Sequence, residues 1–245
     1  MQLAIDVGNT ETTLAFYDNG ICVEKHDLDT HGDFGEAFSS LPHKPEKIGI
    51  SSVVPAVNNR LLNACLEILG TEPVFIGYFS KHGLKISVSN PELMGTDLIA
   101  AASKAVDLYK DQNIIIFDMG TTTTVSLITK DREFLGGQIF AGVDTLLKAT
   151  SSCGALLPEV GFDMKKVSLV GGKTDEAMIS GAYYASLGAV RGIGKRLKRE
   201  YLNAPAVMIG TGAFAHLFSD KELGAFDVYI ENLVTDGIIK IMNAE

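Results

Sequence analysis

Short apolar runs and amphipathic stretches alternate along the chain. Leu3-Ala-Ile, Lys47-Ile-Gly-Ile-Ser-Ser-Val, Pro73-Val-Phe-Ile, Ile115-Ile-Phe and Ala206-Val-Met-Ile-Gly210 read as strands, short and mostly apolar as buried parallel strands are. Helical patterns fall at 33–41, 57–69, 95–110, 174–199 and 231–243. The 95–110 stretch is the clearest, with Ile99, Ala102, Val106 and Tyr109 spaced by three and four on one face. Strands alternating with helices predict an α/β fold. In 174–199 the residues Ser180, Gly181, Ala182, Ala185, Ser186 and Ala189 are small, which suits close helix packing, including packing against a second subunit.

One pattern occurs twice. Leu3-Ala-Ile-Asp6-Val-Gly8-Asn9-Thr10-Glu-Thr12-Thr13 matches Ile115-Ile-Phe-Asp118-Met-Gly120-Thr121-Thr122-Thr123-Thr124 at an offset of 112, from Asp6 to Asp118. Each copy is an apolar run ending in Asp-x-Gly, then a Thr-rich strand, then a hairpin signal at Asp18-Asn19-Gly20 or Lys130-Asp131. An offset of this size predicts two duplicated domains facing each other, 1–111 and 112–245, with the boundary near Lys110 to Asn113.

Composition narrows the class. The chain has 245 residues, 46% of them hydrophobic, and 21 basic against 30 acidic side chains give a net charge of −9. The acidic balance argues against a nucleic-acid partner. The one basic cluster, Arg191 to Arg199, reads as the exposed last turns of a helix in preference to a phosphate-binding patch. No apolar run reaches the ~18 residues of a membrane span and no signal peptide opens the chain, so the expected location is cytoplasmic. Three dispersed cysteines (22, 65, 153) form neither a disulfide framework nor a CxxC metal site, and the five histidines, without ligand spacing, read as surface or loop residues.

The chemistry lies in the repeated motif. Glycine lets a backbone approach a phosphate, Asn and Thr donate hydrogen bonds to its oxygens, and the acid can hold Mg²⁺. A single copy reads as a hairpin with a structural aspartate; two copies in register point to a nucleotide gripped from both sides. Val167 to Thr174 misses a Walker A loop because valine occupies the first required glycine position. Gly210-Thr-Gly212-Ala-Phe-Ala215 has GxGxxA spacing without a complete βαβ unit, and reads as an adenosine-contacting loop. Asp97, after Gly95-Thr96, is by spacing a helix cap; the functional alternative is a general base. Gly136-Gly137-Gln-Ile-Phe-Ala-Gly142 is either a glycine-rich turn before a helix or a cleft lining.

Together these residues resemble the type III pantothenate kinases, of the actin, sugar-kinase and Hsp70-like ATPase superfamily. Asp6-Val-Gly-Asn-Thr10 and Asp118-Met-Gly-Thr-Thr-Thr-Thr124 are similar to the two phosphate motifs, Asn90-Pro91 with Gly95-Thr-Asp97 to the substrate motif, and Phe134 to Gly142 to the glycine motif. Gly172-Lys-Thr174 with Ser180-Gly181 resembles a later segment, and Thr211-Gly212 the adenosine segment. The resemblance implies two duplicated actin-like (ribonuclease H-like) domains with a nucleotide cleft between them. It also implies a cytoplasmic homodimeric transferase that phosphorylates pantothenate to 4′-phosphopantothenate in coenzyme A biosynthesis. ATP, Mg²⁺ and a monovalent cation, K⁺ or NH₄⁺, would be its cofactors.

Residue by residue, the resemblance makes Asp97 the base and Asp6 the organiser of the Mg²⁺-phosphate unit. Gly8, Asn9, Thr10, Thr12, Thr13, Gly120, Thr121, Thr122, Gly210 and Gly212 would hold ATP, and Asp118 the monovalent cation. Val88, Gly95, Thr96, Leu98 and Thr174 would line the acceptor site. Leu98 stands where the family motif has arginine, Val88 where it has an aromatic residue, and Ala141 where it has proline. The alternative is a nucleotide-binding homologue with a diverged acceptor site, either a regulator or a kinase for another small alcohol.

Overall fold

The computed structural model describes residues 1–245. In chain order the main elements are β1 (Gln2–Val7), β2 (Glu11–Asp18), β3 (Ile21–Asp29), α1 (Phe34–Ser39), β4 (Lys47–Ser52), α2 (Asn58–Ala64), β5 (Pro73–Phe75), β6 (Lys85–Ile86) and α3 (Thr96–Leu108). There follow β7 (Asn113–Met119), β8 (Thr122–Ile128), β9 (Glu133–Ala141), α4 (Val143–Cys153), α5 (Thr174–Arg196), β10 (Ala206–Thr211), β11 (Val228–Tyr229) and α6 (Leu233–Ala244). No helix is long and apolar enough to cross a membrane.

The chain forms two compact units. The first comprises Met1–Lys110, Arg132–Phe134 and Asn232–Glu245; the second comprises Asp111–Asp131 and Leu135–Glu231. In the first the sheet order is β3-β2-β1-β4-β5, with β1 antiparallel to β2 and parallel to β4. Asn19 and Gly20 both have positive φ, as the tight hairpin between β2 and β3 requires. Leu3, Ile5 and Val7 pack with Phe34, Phe38 and Leu61 beneath α1 and α2, while Ala4, Ala15 and Tyr17 face α3 and α6. Helices come close to that second face at its small residues: a side chain at Gly49 would meet Ile238 and Met242.

The second unit repeats the topology. Its sheet runs β11-β10-β7-β8-β9, with β7 antiparallel to β8 and parallel to β10. The two-residue β6 pairs with Glu133 and Phe134, which pack with the first unit. Ile115, Phe117, Met119, Val125 and Leu127 build a core with Leu147 of α4 and Ile179, Tyr183 and Val190 of α5.

The copies differ by one residue in register. Asp6 pairs with Thr13, whereas Asp118 pairs with Thr124, because three residues connect β1 to β2 and two connect β7 to β8. Thr12 therefore corresponds to Thr123, which the offset of 112 does not show; both are wholly buried.

Two expectations need correction, and one loop residue is more enclosed than its surroundings suggest. Residues 232–245, assigned with the second domain, belong to the first, because Leu233, Ile238 and Ile241 of α6 are apolar and α3 offers them a matching face. Gly136 and Gly137 lie inside β9 and form no turn; Gly136 has φ +108°, and a Cβ at Gly137 would overlap the Val125 carbonyl oxygen, so Gly137 serves close strand approach. His82 is buried within its loop, where Nδ1 accepts from the Leu84 N–H at 3.0 Å and Nε2 lies 3.0 Å from the Tyr78 carbonyl oxygen.

The helix contact yields a stability prediction. A Cβ at Gly237 of α6 would overlap the Ala100 carbonyl oxygen of α3. Gly237→Ala is expected to destabilise the chain by about 1–3 kcal/mol, the usual range for overpacking, measured as a lower urea midpoint at unchanged slope.

Candidate functional site

In each unit an aspartate ends the central strand between two hydroxyl residues. Asp6 is in register with Thr13 of β2 and Ser51 of β4, and Asp118 with Thr124 of β8 and Thr211 of β10. Ser51 does not figure among the expected site residues, and Thr211, expected only as part of an adenosine segment, stands beside Asp118. The available signal for Ser51 was a hydroxyl residue near the end of an apolar strand.

The turns after the aspartates are held by their carbonyl groups. Thr30 donates to the Gly8 carbonyl through Oγ1 at 2.8 Å and to the Thr10 carbonyl through its N–H at 3.2 Å. In the second unit the Thr121 carbonyl accepts from Thr145 Oγ1 at 2.6 Å and from the Gly142 N–H at 3.1 Å. Tying carbonyl lone pairs to protein donors turns them away from an approaching anion and leaves Asn9, Thr10, Thr121 and Thr122 exposed. A Cβ at Gly142 would overlap the carbonyl oxygens of Gly120 and Thr121, so the end of the glycine-rich segment buttresses this turn.

Thr12 departs from its expected role. It is wholly buried, with its hydroxyl 2.9 Å from that of Thr30, so it anchors the residue that anchors the turn instead of facing a ligand. Thr13 Oγ1 donates to Asp27 at 2.7 Å. Glu11 is pushed above its ordinary carboxylate range, chiefly by burial and further by Asp27. The first turn thus carries concentrated negative charge from Asp6, Glu11 and Asp27.

Asp97 lies in the first turn of α3, within the same unit. Ser51, the register partner of Asp6, shares a 2.9 Å hydroxyl contact with Thr96, so the residue beside Asp6 is bound to the residue beside Asp97. Burial raises the Asp97 carboxyl above its ordinary value, opposed by hydrogen bonds from the backbone N–H groups of Leu98 and Asp97 itself. The Leu98 N–H donates to Oδ1 at 2.8 Å, so residue 98 serves Asp97 through its backbone whatever its side chain. A Cβ at Gly95 would overlap that same oxygen, which explains the glycine. Val88 is half-buried two residues beyond β6.

The remaining residues belong to the second unit. Gly212 has φ +86°, and a Cβ there would overlap Asp118 Oδ1. Gly210 lies within β10, and its missing side chain accommodates the Phe226 ring. Thr174 is the exposed first residue of α5, and no strand precedes it in the Walker-like segment.

No group of three or more His, Cys, Asp or Glu residues could form a metal centre. That fits Mg²⁺ brought largely by a nucleotide, since this ion needs only one or two carboxylates beside phosphate oxygens. Asp6 at the first turn and Asp118 beside the Gly212 cradle supply hard oxygen donors.

A family model for type III pantothenate kinase matches residues 2–196. A type III pantothenate kinase of Elusimicrobium minutum (strain Pei191) is 38% identical over 199 residues, 80% of this chain and 76% of that one. Another, from Legionella pneumophila (strain Corby), is 35% identical over 250 residues, covering 97% of this chain and 96% of the relative. Among solved structures, a ROK family glucokinase from Streptomyces griseus in complex with glucose and AMPPNP superposes with TM-score 0.54. It is 13% identical, covers 100% of this chain and 99% of its own, and shares the actin-like fold.

The raised Asp97 carboxyl links the site to stability. The folded chain holds that proton to higher pH than the unfolded chain, so wild-type stability falls as pH rises from the ordinary value of 3.8 through the raised one. Asp97→Asn is expected to be more stable than wild type at neutral pH. The difference should close below about pH 3.8, measured by denaturant unfolding across pH.

Proposed function

The chain belongs to the type III pantothenate kinase family, and from that membership we propose that it transfers the γ-phosphoryl group of ATP to pantothenate, giving 4′-phosphopantothenate and ADP. This is the first step of coenzyme A biosynthesis. The observation that carries the reading is the linked pair in the first unit: Asp6 beside Ser51, Ser51 bound to Thr96, and Asp97 next in the chain with its carboxyl raised by burial.

Asp97 accepts the proton of the primary hydroxyl as that oxygen attacks the γ-phosphorus and ADP leaves. A carboxylate shifted toward neutral pH is better matched to this task than an ordinary one. The exposed N–H and hydroxyl groups of Asn9, Thr10, Thr121 and Thr122 hold phosphate oxygens, and phosphoryl transfer depends mainly on such positioning and charge neutralisation. Asp6, Glu11 and Asp27 would repel a bare triphosphate, so a cation must accompany it. Mg²⁺ held by Asp6 supplies that neutralisation when bound, and Asp118 beside Gly212 is our candidate for K⁺ or NH₄⁺.

Leu98 favours a second reading of the acceptor. An aliphatic side chain cannot pair with the pantothenate carboxylate, as an arginine would. An alcohol without a carboxylate would meet no such deficit.

We further propose a cytoplasmic homodimer. On α5 the exposed Gly181, Ala185 and Gly188 form one narrow face, and Leu169 and Val170, 82% and 83% exposed, add apolar surface in the same unit.

One assay separates the readings: ADP release with Mg²⁺ and K⁺, with and without pantothenate. Wild type should turn over only with pantothenate, and Asp97→Asn should lose roughly 10²- to 10⁴-fold in kcat. Full turnover in that variant would remove Asp97 as the base. Leu98→Arg should lower the KM for pantothenate by roughly 10- to 100-fold, the worth of one charged hydrogen bond. An inactive wild type that gains activity with Leu98→Arg would favour the diverged acceptor. Sedimentation velocity is expected to give twice the chain mass.

A further inference from the structure

The last turns of α5 and the π turn that continues it carry Arg191, Lys195, Lys198 and Arg199, at spacings of four, three and one, which places them on one side of the helix. They surround a cavity of about 630 Å³ whose apolar lining includes Pro205 and Met208. Its shape follows from the backbone. The helix widens into a π turn at Leu197–Leu202, and Asn203, with φ +46°, ends it. The Ala204 N–H then donates to the Lys198 carbonyl at 3.2 Å, folding the chain back toward β10. Gly194 lets the helix close on Met208, because a Cβ there would overlap the methionine's terminal methyl.

The charges are only partly compensated. Lys198 pairs with Asp227 at 3.2 Å, and Asp227 also accepts from the Met208 N–H at 2.7 Å. Arg196 and Arg199 share Glu200. Arg191 and Lys195 are left with no carboxylate partner, four residues apart on one helix face, where like charges repel. The helix dipole accounts for cations in the last turn alone, and Arg191 lies well before it. In a chain of net charge −9, two uncompensated cations at the rim of a cavity form a local reversal of sign.

The cavity is separate from the phosphate turns. It sits near the start of β10, where Ala206 pairs with Asn113; Thr211 at the other end pairs with Asp118. At about 3.3 Å per residue that is ~16 Å along the strand.

We infer that this cavity binds a small molecule bearing two or more phosphate groups. Arg191 and Lys195 supply the unpaired donors, Arg199 adds charge at the rim, and Pro205 with Met208 supports the less polar part of the ligand. The volume lies in the usual range for small-ligand pockets, and four cations around one concavity make no track for a nucleic-acid strand.

The test is titration of the ¹⁵N-labelled full-length protein with pyrophosphate, tripolyphosphate and ADP, following the amides of Asn203, Ala204 and Gly224. Saturable shifts at these amides are expected, with Kd raised at least tenfold in Arg191→Gln/Lys195→Gln. Kinase turnover and the responses of Gly120 to Thr122 should be unchanged in that variant, which also shows that it folds. Tighter binding of ADP than of pyrophosphate supports an organic phosphate ester as the ligand, and equal binding an inorganic oligophosphate. Shifts confined to the phosphate turns, or Asn203, Ala204 and Gly224 shifts identical in the variant, would overturn the proposal. The readout is independent of turnover, so it stands or falls separately from the kinase reading.

Discussion

The central strand of each unit is antiparallel to one neighbour and parallel to the other, and the site depends on that double pairing. The antiparallel partner requires a tight turn at the strand's end, which concentrates backbone N–H groups there. The parallel partner ends at the same edge and delivers Ser51 beside Asp6, or Thr211 beside Asp118. Carboxylate, hydroxyl and amide groups therefore converge without a long loop to order. A slip of one residue would turn Asp6 into the core beneath α1 and α2, so burial of Leu3, Ile5 and Val7 fixes the chemistry as firmly as it fixes the fold.

Around these edges stability yields to function at named positions. Asp97 carries a carboxylate where burial disfavours its charge. Gly95 and Gly212 give up side-chain restraint so that an aspartate oxygen has room. Thr30 and Thr145 offset part of that looseness, each fixing a turn through a carbonyl group. The repeated unit thus uses the same device twice with different residues, from a strand end in one case and a helix in the other.

Much of this was legible in the sequence. Apolar runs marked β1, β4, β7 and β10, the repeat marked two units, and the motif order marked the family. What escaped had a common cause: local pattern encodes which side of an element is buried, and does not encode what buries it. The apolar side of α6 was visible, but its return to the first unit depends on a glycine meeting Ala100 far along the chain. Thr12 looked like a ligand because the sequence offset hides a turn shorter by one residue, and only the ladder shows that its side chain points inward. Gly136 and Gly137 have the composition of a turn, yet both lie within β9, where the neighbouring strand leaves no room for a side chain at Gly137. The basic cluster at the end of α5 was visible as charge; the concavity depends on Asn203 and on Met208 from another element.

The return of α6 has a consequence for biosynthesis. The ribosome makes the first unit's sheet and α3 before the second unit, but the helix that covers them, with Tyr17 bonded to Thr235 and Gln2 to Asn243, comes after it. The second unit is already complete in sequence by Glu231. The unit that comes first along the chain is therefore completed by a helix made after the whole of the second unit. Until α6 is made, the apolar surface of α3, including Ile99 and Ala100, lacks its cover, the kind of transient exposure that favours aggregation.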